Sequence, residues 1–533
     1  MKFHRLLAGA LAISLLAVGC GADGNNTSNN GETTDGKNLK VFYAGGEGEN
    51  VIDVQTNEFT KWAEEQTGIH VEFEWVDFQS AEEQLNLLLS SGVELPDIIL
   101  AELNSAQLIQ YGGEGLLIPL NDLLEQYGTN AKKFAKEFAD DENFSTITAP
   151  DGNIYGMPSG EACYHCKFSQ KMWINQTWLE ALNLDMPTTT DEFYEVLKAF
   201  KEKDPNGNGQ ADEIPLSACT EWWHATIPNF IMNAFIYYDD ETYLSVENGT
   251  VIPVAIQTEW KDGLAYLKKL YDEGLLDTEA FVQKPEQLRQ LVENGGDIAL
   301  GATPTGTPAS FADDTGEATK NFVTVPPLTG PNGVRTVGYY QNQLMTRGVV
   351  TRDCKDPALA VQWLDFLLSE DATMRQAFGV EGIDWEKAGE NDVGLSGETA
   401  LFKEINVLPG MTEQNQGVEL MTGMTEKLFN GRAIDANDPW YIEKRLADET
   451  EKNYDIGIEP TETLSASLFM SIEDAQKYDE ISVPLREHLK ENVALFITGN
   501  RSLDEWDDYV EEAKSLGYNE YVAIAQKYYD ETK

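Results

Sequence analysis

Between residues 39 and 127 the apolar period of the chain switches repeatedly. Residues 39–44 read as a strand, residues 57–67 carry helical spacing through Phe59 and Trp62, and residues 69–75 alternate one by one. Residues 81–90 return to a helical pattern, 96–101 to a strand, and 106–111 and 120–127 to helices. Strands and helices in alternation bury their apolar faces as layers, with helices packed on a sheet. The pattern therefore predicts an α/β lobe with a largely parallel sheet.

The remainder of the chain is less regular. Helices are expected over 173–182, 190–203, 260–273 and 357–369, and a short strand over 297–301 followed by an open loop at 303–308. The Thr/Asp-rich start of the 190–203 segment suits a helix cap. Several helices joined by polar loops are expected from 386 to the end, with no internal repeat. A chain of 533 residues exceeds what one core usually holds, so two or three lobes are expected.

The N-terminus has the order of an export signal. Lys2 and Arg5 precede an apolar run over 6–18, which ends in the small residues Ala17, Gly19 and Cys20. The run is shorter than the roughly 20 residues that span a bilayer. The segment Ala17-Val18-Gly19-Cys20 resembles a bacterial lipoprotein signal. In that class the cysteine takes a diacylglycerol and becomes the first mature residue. The alternative is an ordinary secretory signal that contains a cysteine. On the lipoprotein reading, 1–19 is the signal peptide and 20–38, rich in Gly, Asn and Thr, is a flexible tether. The mature protein would then sit on the outer face of the cell membrane.

The formal net charge is -53, from 38 basic and 91 acidic residues spread along the whole chain. Such a surface repels nucleic acid and anionic headgroups at long range. Four cysteines follow Cys20: Cys163, Cys166, Cys219 and Cys354. Cys163-Tyr164-His165-Cys166 has the spacing of a redox or metal half-site. No second CxxC completes a four-thiolate zinc site, and a local disulfide or ordinary buried cysteines are the other readings.

The most specific chemical motif is the run from Asp204 to Glu213. Oxygen-bearing side chains Asp204, Asn206, Asn208 and Asp212 recur at positions one, three, five and nine, and Gly209 stands at position six. Calcium needs about 6–8 hard oxygen ligands on a compact curve, and an EF-type loop needs its sharp turn there. Gln210 would offer its backbone carbonyl. Position twelve is Pro215, so Glu213 is the replacement for the usual bidentate glutamate. A polar turn without metal is the bland alternative. No HExxH, Gly-x-Ser-x-Gly or P-loop occurs. A carboxylate pair for glycoside hydrolysis is set by a distance that sequence does not supply.

Taken in order, several landmarks resemble the family 1 extracellular solute-binding proteins of bacterial ABC importers. The similarity is greatest to the long oligosaccharide-binding group that includes calcium-containing alginate-binding proteins. The landmarks are Gly68, Pro96-Asp97, the run Ile154 to Pro158, and the run Pro187 to Phe193. Gly379 with Gly382 and Trp385, the run Phe496 to Gly499, and the run Leu503 to Trp506 complete them. The resemblance covers nearly everything from Leu39 onward. It implies a periplasmic-binding-protein-like α/β fold, with two lobes joined by a hinge and ligand between them. The implied lobes are 39–157 plus 326–378, and 158–325 plus 379–533. It implies a structural Ca2+ in the shortened loop, a permease partner, a single-membrane (Gram-positive type) cell and no catalysis. It also directs attention to aromatic residues in loops, whose faces stack on sugar rings. The candidates are Trp222, Trp223, Tyr340, Trp385 and Trp440, with Tyr43 at the end of the first strand placed for a cleft rim and Glu161 as a hydroxyl acceptor. Arg335, Arg347 and Arg352 are the candidate clamps for an anionic sugar. Trp62, Trp173, Trp178 and Trp363 are expected in the core. A surface polysaccharide-processing enzyme and a peptide- or signal-sensing binder are the alternative readings, separated by turnover and by peptide-selective binding.

Overall fold

A computed structural model describes residues 37–45, 53–76, 78–314, 316–405, 420–421, 423–434, 441–464 and 468–531. The signal, Cys20, nearly all of the tether and Trp440 lie outside them. The chain from Asn38 to Lys533 forms one compact unit. Within it are two larger sheets, each with its own core.

The six-stranded sheet has the spatial order Gly423–Met424, Gly156–Glu161, Met345–Val350, Ile98–Glu102, Asn38–Ala44, His70–Val76. Its far edge is parallel: Val41 pairs with Phe73 on one side and Ile98 on the other. Both faces are covered, which is why Ile98-Ile99-Leu100 is an unbroken apolar run. Val41 and Tyr43 point to one core, with Phe59, Trp363 and Leu364. Phe42 and Ala44 point to the other, with Leu85, Leu89 and Leu108. The expected strand and helix alternation is present. The sheet is mixed rather than largely parallel, because Met345–Val350 returns from the second half of the chain antiparallel to both its neighbours.

The four-stranded sheet has the order Phe322–Thr324, Met172–Asn175, Leu300–Pro304, Ile214–Leu216. Trp173 therefore lies in a strand, not in the expected helix, which begins only at Gln176. The apolar run Met172-Trp173-Ile174 is fully buried, so its pattern fits either element. The helix Thr190–Glu202 starts as expected, with Thr189 and Glu192 forming a reciprocal capping box. Against this sheet packs the largest core. Trp260 packs there edge-on against both Tyr238 and Tyr243, on a helix that lies beside the helix Ile472–Thr498.

Core membership marks where the chain passes between the sheets. The first passage is 162–171, from Gly156–Glu161 to Met172–Asn175. Val325, Leu328 and Val337 still pack in the second core, and Leu344 and Val350 in the first. Residues 326–337, expected with the first lobe, thus belong to the second core. Leu420 and Met421, expected with the second lobe, pack in the first.

Lys171 ends the first passage with 0% of its surface exposed. Its Nζ donates to the carbonyls of His165 (2.9 Å) and Phe168 (2.6 Å) and lies 5.5 Å from the Tyr454 ring centre. Burial drives the ammonium down to about 7, opposed by the charge of Glu449. Above that pH the folded chain binds fewer protons here than the unfolded chain, so stability rises with pH until the ordinary lysine value near 10.4. Denaturant titrations between pH 7 and 10 are expected to show wild type gaining on Lys171→Met by up to about 1.4 kcal/mol per pH unit. Parallel pH profiles for the two proteins would contradict this.

Candidate ligand and metal sites

The Asp204–Glu213 loop folds on itself. Gly207 and Gly209 both take positive φ, 74° and 75°, where a side chain would be strained. Asp204 accepts from the Gly209 amide (3.0 Å), Asn206 from the Asn208 amide (3.1 Å) and Asn208 from the Gln210 amide (2.8 Å). Asn206 and Asn208 both donate to Asp212. The side chains of Asn206, Asn208 and Asp212 thus meet inside the turn that Asp204 opens. Glu213 Oε1 is buried there without a hydrogen-bond partner. Burial and the nearby charges of Asp212 and Asp204 raise its carboxyl above the usual range. An orphaned carboxylate oxygen among hard oxygen donors fits a divalent cation of the calcium type.

Trp222 and Trp223 stand side by side, 38% and 39% exposed. The turn that presents them holds Glu221 and His224 at positive φ, 60° and 50°. Trp223 lies flat on Gly306: a Cβ at that glycine would fall 2.4 Å from the indole. The Gly306 amide donates to the Trp223 carbonyl at 3.2 Å. Rings then continue inward, from Trp223 to His224 (5.4 Å between centres) and from His224 to Tyr340, stacked at 4.9 Å.

Asp240 is the hub behind these rings. Its carboxylate lies 2.9 Å from His224 Nδ1 and accepts from Asn229 (3.1 Å) and from the Tyr340 hydroxyl (2.7 Å). The same hydroxyl accepts from Gln170 Nε2 at 2.7 Å, and Gln170 accepts from Asn233 at 2.7 Å. Burial pushes Asp240 up, but His224, Tyr340 and Asn229 together leave its carboxyl below the usual range. Burial and the charges of Asp240 and Asp239 drive Tyr340 well above its ordinary value, so it remains a neutral donor.

Tyr340 also borders a cavity of about 310 Å³ with Tyr237, Tyr339, Tyr478 and Arg486, closed on the side of the first sheet by Asn104. Trp222 and Trp223 lie outside this lining. Of the other nominated residues, Tyr43 is not at a rim. It is buried in the first core, edge-on to Phe73. Trp385 packs edge-on against Phe402 and donates to the Gly379 carbonyl, so its ring belongs to a small local core. Glu161 is exposed at the end of its strand, beside Met424. Arg335, Arg347 and Arg352 donate to the carbonyls of Pro327, Leu420 and Gly92, and do not converge on a clamp. Sequence reasoning missed Asp240, Gln170, Asn229 and Tyr237. The run Tyr237-Tyr238-Asp239-Asp240 was the available signal.

Two sheets with separate cores and crossings between them define a two-lobed α/β architecture. The chain belongs to the family described as bacterial extracellular solute-binding protein, whose pattern matches residues 48–374. That family is non-catalytic. The chain is 29% identical over 483 residues to the fructooligosaccharide ABC transporter substrate-binding protein FusA of Streptococcus pneumoniae, across 88% of this chain and 86% of that one. It is 27% identical to the lipoprotein LipO of Bacillus subtilis, across 89% of each. FusA solved with kestose superposes with TM-score 0.73 at 27% identity, covering 93% of this chain and 99% of that one. A FusA EF-hand mutant with fructo-nystose superposes at 0.72, with the same identity and coverage. An extracellular solute-binding protein of Bifidobacterium longum subsp. infantis shares the fold, with TM-score 0.75 at 22% identity, over 93% of this chain and 99% of that one.

Removing the hub would strand His224 and Tyr340 in the interior. Asp240→Ala is expected to destabilise the protein by about 3–5 kcal/mol, measured by denaturant unfolding. A loss under about 1 kcal/mol would show that the network is incidental.

Proposed function

We propose that this chain captures a neutral oligosaccharide outside the cell and hands it to an ABC permease. The observation that carries the reading is the exposed pair Trp222 and Trp223, with Trp223 seated on Gly306 and leading through His224 to the Asp240 network. Flat apolar faces with a few fixed polar groups are what a sugar ring requires. The charge of -53 and the engaged arginines disfavour an anionic sugar. Likeness to a protein solved with kestose makes short fructooligosaccharides the first ligand class to try. Capture follows a shift of the two lobes from open to closed, pivoting on 162–171 and the stretch before Leu344.

Calorimetry with kestose in calcium buffer is expected to give saturable binding, weakened at least tenfold in Trp223→Ala. Binding of peptides with no response to any oligosaccharide would sink the reading, and hydrolysis of the bound sugar would favour an enzyme.

The loop side chains Asp204, Asn206, Asn208, Asp212 and Glu213, with the Gln210 carbonyl, would hold Ca2+ as a structural pin for the turn. At a hundredfold excess over its dissociation constant the ion would add about 2.7 kcal/mol. Calcium should raise the melting temperature of wild type and not of Glu213→Gln. Equal melting in calcium and in chelator would refute the site. The lipid anchor on Cys20 is supported by the likeness to a lipoprotein. Cells carrying Cys20→Ala should no longer hold the protein at the membrane, and unchanged retention would exclude the anchor.

A further inference from the structure

The first passage between the sheets contains a group of side chains that sugar capture does not use. Cys163 and Cys166 are joined by a disulfide, with Cα atoms 5.3 Å apart. His165, 6% exposed, stands between them. Its Nε2 lies 3.5 Å from Cys163 Sγ, and its Nδ1 lies 3.9 Å from Cys166 Sγ. The same Nε2 is 3.0 Å from Glu443 Oε2, at the start of the helix Ile442–Asn453. Arg432 holds Glu404 (3.3 Å) and Tyr441 (2.9 Å) nearby. Both sulfurs and an imidazole nitrogen fall within 4.8 Å of one another.

A disulfide that only ties a turn needs no imidazole against its sulfurs and no carboxylate on that imidazole. Two of the spacings, from His165 Nε2 to Cys163 Sγ and to Glu443 Oε2, are close to edges of a coordination tetrahedron. With Zn–S about 2.3 Å and Zn–N and Zn–O about 2.0–2.1 Å, sulfur and nitrogen stand about 3.5 Å apart, and nitrogen and oxygen about 3.3 Å. Two thiolates in such a site stand about 3.8 Å apart. The turn reaches that separation when the S–S bond opens, because Cα atoms 5.3 Å apart leave the side chains free to diverge. Cys166 is half-buried and Cys163 buried.

We propose that the reduced Cys163-Tyr164-His165-Cys166 turn, with Glu443, is a site for a zinc-class divalent ion, its ligands two thiolates, one imidazole and one carboxylate. The reductant is a dithiol. One of its thiolates attacks the disulfide and breaks the S–S bond. Its second thiol resolves the mixed disulfide, so the dithiol leaves oxidised and the turn carries two thiols. The ion binds both as thiolates, whose protons pass to solvent. It binds Nε2 of neutral His165, whose remaining proton sits on Nδ1, and one oxygen of Glu443. Disulfide and metal are therefore alternative clasps for the same passage between the lobes.

The test uses the full mature chain in calcium-saturated buffer, so that the Asp204–Glu213 loop does not compete. Protein reduced with a phosphine is titrated with zinc against a chromophoric chelator, and separately with cobalt(II). Reduced wild type is expected to take up one equivalent of zinc and to show thiolate-to-cobalt charge-transfer bands. Oxidised wild type and Cys163→Ser should show neither. Glu443→Gln should weaken zinc binding about 10–100-fold. Alkylating the reduced wild type with iodoacetamide gives the same comparison without a substitution, should the serine variant fail to fold. Reduced wild type binding no more zinc than its alkylated form overturns the site, as does cobalt uptake without thiolate bands. None of these readouts involves sugar, so failure here leaves the oligosaccharide reading untouched.

Discussion

A lysine amino group with no access to water anchors the passage on which both halves of this molecule depend. Lys171 satisfies the carbonyls of His165 and Phe168, which the connecting segment would otherwise bury unpaired. Its neighbour Gln170 reaches the other way, to Tyr340 and Asn233. Two consecutive residues thus tie the cysteine turn to the aromatic step, just before the strand Met172–Asn175 enters the second sheet. An apolar residue at 171 would remove the pH-sensitive penalty and leave two carbonyls without donors.

Cations are scarce in a chain with 38 basic against 91 acidic residues, and the buried ones serve the backbone. Arg445 donates to the carbonyls of Thr319 and Phe322 and lies over Trp173. Arg335, Arg347 and Arg352 follow the same habit. The polar groups behind the aromatic step are instead amides, a tyrosine and one carboxylate, bonded to one another.

What the sequence revealed depended on how local the information was. The strand and helix order of 39–101 is written in the apolar period, and the Thr189 cap and the glycine turns of the calcium-type loop lie within a dozen residues. Tyr43 was misplaced because a strand's period does not say which face meets the core. Trp173 was misplaced because a short buried apolar run fits helix and strand equally. The Asp240 hub was illegible for a different reason: Gln170 and Tyr340 lie 170 residues apart, and only the folded passages bring them together. Trp222 and Trp223 were legible as a pair, but not the glycine that flattens one of them.

That glycine has a consequence for how a ring would be received. Gly306 lies close against Trp223 and the tilted ring of His224 packs beside it, so the indole is held in place before anything arrives. A long side chain ordered only on contact would lose rotational freedom at that moment, at about 0.5–1.5 kcal/mol. Here that entropy is lost on folding, once, and a ring that stacked on the indole would give up its own freedom and little of the protein's.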